Sequence, residues 1–157
     1  MTIMFAIFDV DGTLSPQTVT YCSDATVSRQ FSVRDGLGMR MLIDSGVEVW
    51  MVSQEDDDSI RHRANKIVGN NRLLGIKDKR EVFGYFSANM DEIAWMGDDL
   101  NDMECLRVVG LPACPADAIG SVRSLVMSRG GFVSNLPGGH GAAREFCEHI
   151  LKTNAFL

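Results

Sequence analysis

Runs of apolar residues of strand length recur along the chain and are separated by segments of helical character. Residues 3–8 (IMFAIF) and 47–52 (VEVWMV) have the nearly continuous apolar pattern that is typical of strands buried on both faces of a sheet. Residues 93–96 and 111–114 predict two shorter strands. Strands that alternate with helices favour a Rossmann-like α/β fold, in which a parallel sheet carries helices on both faces.

The segments between these apolar runs predict helices and one hairpin. Helices are expected over residues 36–43, 57–68, 77–86, 101–109 and 142–152. Residues 15–33 are rich in Thr, Ser and Val, and they predict a small β-hairpin outside the main sheet, after the first strand. Ligands of a parallel α/β sheet bind at the carboxyl ends of its strands, so we expect the functional residues there.

Length, charge and cysteine content narrow the class of protein. The chain of 157 residues fits one domain, expected to span residues 1–157. The net charge of −6 disfavours partners such as nucleic acid or an anionic membrane, and no apolar run approaches the ~20 residues of a membrane span. The four cysteines lack the spacing of a zinc site. We therefore expect free thiols and a cytoplasmic location.

Two clusters of acidic residues follow two of the predicted strands. Asp9 and Asp11 lie two residues apart in DVDGT, so both carboxylates can point into one site while the residue between them points into the core. The sequence GDDLND adds Asp98, Asp99 and Asp102 after a later strand. A solvated turn and a helix cap are the simpler interpretations. A cap explains one acid and not three, whereas a hard cation such as Mg²⁺ would offset their repulsion.

These clusters, with Ser53 at the end of a third strand and Lys79 in GIKDK, resemble the four motifs of the haloacid dehalogenase superfamily of phosphotransferases. The first and fourth motifs are specific, whereas Ser53 and Lys79 are weak signals, and Lys77 competes for the third motif. FSVRDGLGMRML (residues 31–42) and GGHGAARE (residues 138–145) resemble a branch without a cap domain. That branch contains phosphatases of 3-deoxy-D-manno-octulosonate (KDO) 8-phosphate and of nulosonate 9-phosphates.

The resemblance implies hydrolysis of a sugar-acid phosphate through an aspartyl-phosphate. Asp9 would be the nucleophile, and Asp11 would act first as general acid and then as general base. Lys79 would neutralise the charge of the phosphate, and Ser53 would donate a hydrogen bond to it.

The resemblance also implies a Mg²⁺ cofactor. Its ligands would be the carboxylates of Asp9 and Asp98 and the backbone carbonyl of Asp11. Asp99 and Asp102 would not bind the ion directly but would hold its ligands and bound water in place.

For the substrate, the resemblance implies contacts from Arg34, Glu55, Arg63, His140 and Arg144. Members of the branch are usually homotetramers in which a neighbouring subunit closes the site. We therefore expect the segment around His140 to help form the active site of a neighbour.

Two departures from the branch bear on the substrate. Gln54 and Glu55 stand where the second motif often has Gly and Arg, and His140 stands where Arg is common. Glu55 with Arg63 resembles the nulosonate 9-phosphate type, so we expect a nine-carbon substrate in preference to KDO 8-phosphate.

Two other classes of protein remain as alternatives. A receiver domain of a two-component system has acids, a Ser or Thr and a Lys in an α/β fold, but here the middle strand ends in Ser53 and an acidic cluster follows Lys79, which disfavours a receiver. A non-catalytic module for binding and oligomerisation would have lost catalytic acids that this chain keeps.

Overall fold

The computed structural model describes residues 2–155, and the strands and helices below lie within them. Eight strands follow one another along these residues: β1 (Phe5–Asp9), β2 (Thr20–Tyr21), β3 (Val27–Ser28), β4 (Glu48–Val52), β5 (Arg72–Leu73), β6 (Ile93–Met96), β7 (Leu111–Cys114) and β8 (Phe132–Val133).

Six of the strands form one parallel sheet in the order β5-β4-β1-β6-β7-β8. β1 therefore lies between β4 and β6, and Asp9 at its end is in register with Val52 of β4. The carboxyl ends of these three strands meet at one edge of the sheet. The remaining two strands, β2 and β3, pair as an antiparallel hairpin outside the sheet, which we call the flap (residues 20–28).

Five α-helices connect and cover the strands in this part of the chain: α1 (Val33–Asp44), α2 (Asp58–Ile67), α3 (Met103–Val108), α4 (Gly120–Ser128) and α5 (Ala142–Ala155). Three 3₁₀ segments complete the structure: Lys79–Tyr85, Met90–Glu92 and Leu100–Asp102. No helix within residues 2–155 is long and apolar enough to cross a bilayer.

Residues of β1 alternate between two cores, one on each face of the sheet. Ala6 and Phe8 pack in the core that α1, α2 and α5 cover, where Phe8 meets Phe146 of α5 edge to face. Ile7 points to the opposite face and packs with Trp95, in the core that α3 and α4 cover. Burial of both faces explains why this strand is apolar throughout.

The predicted α/β class and the flap are confirmed, with differences in the secondary structure. The helix expected over residues 77–86 is a 3₁₀ segment. α1 begins at Val33 because Ser32 caps it, its side chain accepting a hydrogen bond from the Asp35 N–H. Strands β5 and β8 and helix α4 were not predicted. Each of these strands has two residues, which is too short for an apolar period, and α4 has no side-chain cap.

Candidate active site

The parallel register brings the predicted motifs to one edge of the sheet. Asp9 ends β1, Ser53 follows β4 directly, and Asp98 follows β6 after Gly97. All three side chains are largely buried. Gly12 has a positive φ of 84°, and a Cβ on it would lie 2.0 Å from Oδ2 of Asp98. Only a glycine therefore lets the two acidic loops approach each other this closely.

Lys79 lies at the centre of this edge. Its residue is 1% exposed, and its Nζ lies 2.5 Å from Oδ1 of Asp9 and 2.8 Å from Oδ1 of Asp102. Burial alone would lower the pKa of Lys79, but the charges of Asp9 and Asp102 outweigh it and raise that pKa. The other candidate, Lys77, is exposed, and its backbone carbonyl accepts a hydrogen bond from the side-chain amide of Gln54 at 3.0 Å.

Asp102 is fully buried, and it fixes Lys79. Its Oδ1 accepts hydrogen bonds from Lys79 and from Nε1 of Trp95 (3.1 Å), and its Oδ2 accepts one from the backbone N–H of Asp98 (3.3 Å). Both oxygens are thus already engaged by the protein. This arrangement suits a residue that holds the lysine and the Asp98 loop in place.

Asp9, Asp98 and Asp102 form a buried acidic group that fits a cation. One carboxylate oxygen from each lies within 4.8 Å of the others. Burial raises the pKa of Asp9 well above its usual range, with Lys79 opposing, and burial with the charge of Asp102 raises the pKa of Asp98 to about 7. Three carboxylates around one ammonium leave excess negative charge. A divalent cation would offset it, and Asp9 and Asp98 keep oxygens that could bind one.

Asp11 lies at the rim of the same edge, and an arginine that the sequence motifs do not include binds it. Arg29, directly after the flap, donates from Nε to Oδ1 of Asp11 (2.6 Å) and from Nη2 to Oδ2 (3.0 Å). The hydroxyl of Ser15 donates to Oδ1 as well (3.1 Å). Nothing in the sequence around Arg29 marks it, because it reaches Asp11 across 18 residues of chain.

Asp99, expected behind the metal ligands, is exposed instead. Its Oδ1 accepts the backbone N–H of Leu100 at 2.6 Å, so it caps the short 3₁₀ segment that follows. Asp99 thus has the capping role that the simpler interpretation gave to one acid of this cluster.

Two clefts open onto this edge, of about 330 and 170 Å³. Asp11 and Asn101 line both of them. The larger cleft is also lined by Gly12, Gln17, Asp98, Asp99 and Ile119. The smaller one is also lined by Asp9, Ser53, Gln54 and Glu55.

Glu55 lines the smaller cleft as expected of a substrate contact, but Arg63 does not accompany it. The guanidinium of Arg63 donates to the carbonyl of Ser32 (2.8 Å) and lies 5.5 Å from the centre of the Phe31 ring. Because Arg63 packs from α2 against the start of α1, the expected pair of Glu55 and Arg63 is not formed within residues 2–155.

The other three expected substrate contacts also lie outside these two clefts, as far as the described residues show. Arg34 is exposed on α1, and His140 is exposed before α5. Arg144 pairs with Glu148 one turn further along α5, at 2.7 Å. Arg34, Arg63, His140 and Arg144 are therefore not gathered at the site of their own chain, so their expected contacts with the substrate stay a prediction.

The glycine-rich segment before α5 packs on the first acidic loop of its own chain. Gly139 donates its N–H to the carbonyl of Thr13 at 2.9 Å. A Cβ on Gly138 would lie 1.8 Å from the carbonyl oxygen of Gly12. Asp35 of α1 secures the helix that follows, because its carboxylate accepts the N–H of Arg144 at 2.8 Å. Asp35 of the RDG sequence (residues 34–36) and Arg144 of the GAARE sequence (residues 141–145) thus have a structural role, which is to join α1 to α5.

Comparison with known proteins is consistent with this geometry. No family model matches the chain. A KDO 8-phosphate phosphatase from Yersinia pestis is 31% identical over 153 residues, which cover 95% of this chain and 80% of that protein.

Two solved structures have the same fold. A KDO 8-phosphate phosphatase from Moraxella catarrhalis, in complex with magnesium, phosphate and KDO, superposes with a TM-score of 0.88 at 28% identity, covering 98% of this chain and 88% of that one. A hydrolase of the haloacid dehalogenase superfamily from Legionella pneumophila has a TM-score of 0.91 at 29% identity, covering 98% and 84%.

These relatives do not favour a receiver domain or a non-catalytic module. The identity and coverage decide the family: this chain belongs to the KDO 8-phosphate phosphatases, which are phosphatases of the haloacid dehalogenase superfamily.

Proposed function

We propose that this chain is a Mg²⁺-dependent phosphatase of a sugar-acid phosphate and that its reaction passes through a phosphorylated Asp9. The observation that carries the proposal is the carboxylate of Asp9, held by the ammonium of Lys79 at the strand edge, with Asp11 lining the same cleft. A buried carboxylate beside a fixed cation is suited to attack an anionic phosphate, because the cation offsets the repulsion between them.

The two acids divide the reaction between them. An oxygen of Asp9 forms a bond to phosphorus while the bond from phosphorus to the sugar oxygen breaks. Asp11 donates its proton to the departing sugar oxygen. Asp11 then takes a proton from a water that attacks phosphorus, which releases phosphate and restores both carboxyl groups. Asp11 lines both clefts, so it can reach the leaving oxygen and the water.

Lys79 and Ser53 bind the phosphate in this proposal. The hydroxyl of Ser53 accepts the N–H of Glu55 at 3.0 Å, which leaves its own hydrogen to be donated to a phosphate oxygen. Lys79 keeps its charge because its pKa is raised, so the phosphate meets an ammonium at any pH at which the enzyme works.

Asp9, Asp98 and the backbone carbonyl of Asp11 would hold the Mg²⁺, and Asp102 would hold Lys79. When bound, the cation supplies positive charge that offsets the charge on the transferred phosphoryl group. The magnesium bound by the Moraxella relative and the acidic group of this chain support this assignment.

For the substrate, we propose KDO 8-phosphate first and a nulosonate 9-phosphate second. The names of the relatives support KDO 8-phosphate. The position of Glu55 in the cleft supports the nine-carbon sugar, but the position of Arg63 outside it removes the other half of that argument.

We also propose a homotetramer that works in the cytoplasm. Arg34, His140 and Arg144 lie outside the clefts of their own chain. In a homotetramer they could contact a substrate that is bound in the cleft of a neighbouring subunit. The thiols of Cys22, Cys105, Cys114 and Cys147 are free, which suits a reducing compartment.

The test is phosphate release from KDO 8-phosphate and from a nulosonate 9-phosphate, each with Mg²⁺ and with a chelator. We expect release that requires Mg²⁺, with the higher kcat/KM on KDO 8-phosphate. Equal release in the chelator would contradict the role of the cation, and a higher kcat/KM on the nine-carbon ester would reverse the order of substrates. Sedimentation of the same sample measures the number of subunits.

A further inference from the structure

Arg29 has a deeply buried guanidinium outside the strand edge, and its contacts point to a specific task. Its side chain is 2% exposed, although the flap that precedes it is exposed almost throughout. Burying a guanidinium is costly unless its donors are paired. All three of its nitrogens are paired, and two of them bind one carboxylate, that of Asp11.

The contact with Asp11 fixes the plane of that carboxylate. The side chain of Asp11 is 31% exposed and follows the last residue of β1 by two positions, so the sheet does not hold it. Parallel hydrogen bonds from Nε and Nη2 form the planar fork that Arg makes with a carboxylate. A lysine is a point charge, and it could not set this plane.

The third nitrogen anchors Arg29 to a rigid element. Nη1 donates to Asp57 and to the hydroxyl of Ser59 (2.9 Å). Asp57 is itself fixed as the N-cap of α2, where its Oδ1 accepts the backbone N–H groups of Ser59 (3.0 Å) and Ile60 (3.3 Å). Arg29 therefore links the carboxylate of Asp11 to the start of α2, which holds it in one orientation.

The fork also leaves one oxygen available. A carboxylate oxygen has two lone-pair sites. On Oδ1 of Asp11, Arg29 engages one site, and the hydroxyl of Ser15, which Oδ1 shares with the carbonyl of Val10 (3.3 Å), faces the other. On Oδ2, Arg29 engages one. The second site of Oδ2 is thus free to face a reacting oxygen.

We propose that Arg29 is a positioning residue for the reaction: it aims Oδ2 of Asp11 at the leaving oxygen of the substrate and so makes proton transfer efficient. This proposal rests on the role of Asp11 under the proposed function. Arg29 itself touches neither the substrate nor the phosphate.

The experiment compares two leaving groups. Arg29→Met and Arg29→Lys are assayed with a sugar phosphate, whose alkoxide must be protonated to leave, and with p-nitrophenyl phosphate, whose phenolate leaves unaided. The quantity is kcat/KM, because it reports the steps up to departure of the leaving group and excludes the later hydrolysis of phosphorylated Asp9. We expect both variants to lose about 10–100-fold on the sugar phosphate, which is less than or at the lower end of the 10²–10⁴-fold that general acid–base catalysis contributes, because Asp11 itself remains. On p-nitrophenyl phosphate we expect a loss of less than about threefold.

Two further variants control the comparison. Asp57→Asn keeps a capping side chain on α2 but removes the charge that anchors Arg29, and we expect a smaller loss with the same dependence on the leaving group. Arg107→Met removes an exposed arginine of α3 that pairs with Glu104 at 3.3 Å, and we expect no change on either ester. If an Arg29 variant does not fold, Asp57→Asn still decides the question.

Equal losses on both esters, or no loss on either, would overturn the role of Arg29. Those outcomes differ from failure of the proposed function, in which the wild type itself would release no phosphate from either ester.

Discussion

Asp9 and Asp11 are the same type of residue on one short loop, but the protein holds them differently. Asp9 is buried beside Lys79, and burial raises its pKa. Asp11 lies at the rim, and Arg29 binds both of its oxygens. A site that excludes water favours a nucleophile, whereas a proton-transfer group needs access to both the substrate and water. Environment thus separates the roles of two neighbouring carboxylates.

The largest effect is expected at the buried member of this pair. Asp9→Asn replaces the nucleophile with an amide and should lower kcat by roughly 10⁴-fold or more, as loss of a nucleophile does elsewhere. Phosphate release measures the rate, and mass spectrometry of the variant checks that the introduced amide has not deamidated. Near-normal turnover by the intact D9N variant would rule out the covalent step.

Asp11, the half-buried member of the pair, should show a smaller effect that depends on the substrate. Asp11→Asn removes the proton donor and should lower kcat/KM on a sugar phosphate by about 10²–10⁴-fold. The loss on p-nitrophenyl phosphate should be much smaller, since that leaving group needs no proton. Tm should fall as well, because the buried guanidinium of Arg29 loses one of its two charged partners, while Asp57 remains. Equal losses on both esters would assign Asp11 to phosphate binding or metal binding instead.

Lys79 tests how strongly the buried carboxylate depends on its partner. Lys79→Met leaves Asp9 and Asp102 buried without their cation, and breaking such a pair costs about 3–5 kcal/mol of the free energy of unfolding. Urea unfolding measures this cost. The matched control is Lys77→Met at an exposed position two residues earlier, where we expect a change within about 0.5 kcal/mol. If Lys79→Met loses no more of the free energy of unfolding than Lys77→Met does, the ion pair does not stabilise the fold.

The smallest effect is a dependence of stability on pH and Mg²⁺. The pKa of Asp98 is about 7 in the folded protein, against 3.8 for the ordinary group. Between these values the folded state keeps a proton that the unfolded state has lost, so without metal this group makes stability fall as the pH rises from about 4 to 7. Mg²⁺ needs the ionised form, so it should raise Tm more at pH 8 than at pH 5.5. At 100 times its Kd, a cation that binds only the folded state adds ~2.7 kcal/mol to the free energy of unfolding.

The control for this prediction is Asp98→Asn. The amide does not titrate, so the difference between the two pH values in the Mg²⁺-induced shift of Tm should shrink. An equal shift at both pH values in the wild type would place the cation away from Asp98. Differential scanning fluorimetry with Mg²⁺ or a chelator measures all four conditions.

The local pattern of apolar residues predicted most of the fold. The runs at residues 3–8 and 93–96 predicted β1 and β6 because a strand buried on both faces must be apolar at every position. The same reasoning could not find β5 or β8. Their pairing depends on neighbours in the sheet and not on their own two residues.

The sequence by itself determined that Asp9, Ser53 and Asp98 would meet, because each follows a buried parallel strand and such strands end at one edge. Only the tertiary structure decided which side chains act on them. Lys79, and not Lys77, is the lysine of the site because it begins a 3₁₀ segment that directs its side chain to Asp9. Arg29 meets Asp11 because the flap folds back against α2, while Arg63 is drawn away to Phe31. Side-chain direction depends on which elements pack together, and spacing along the chain does not encode it.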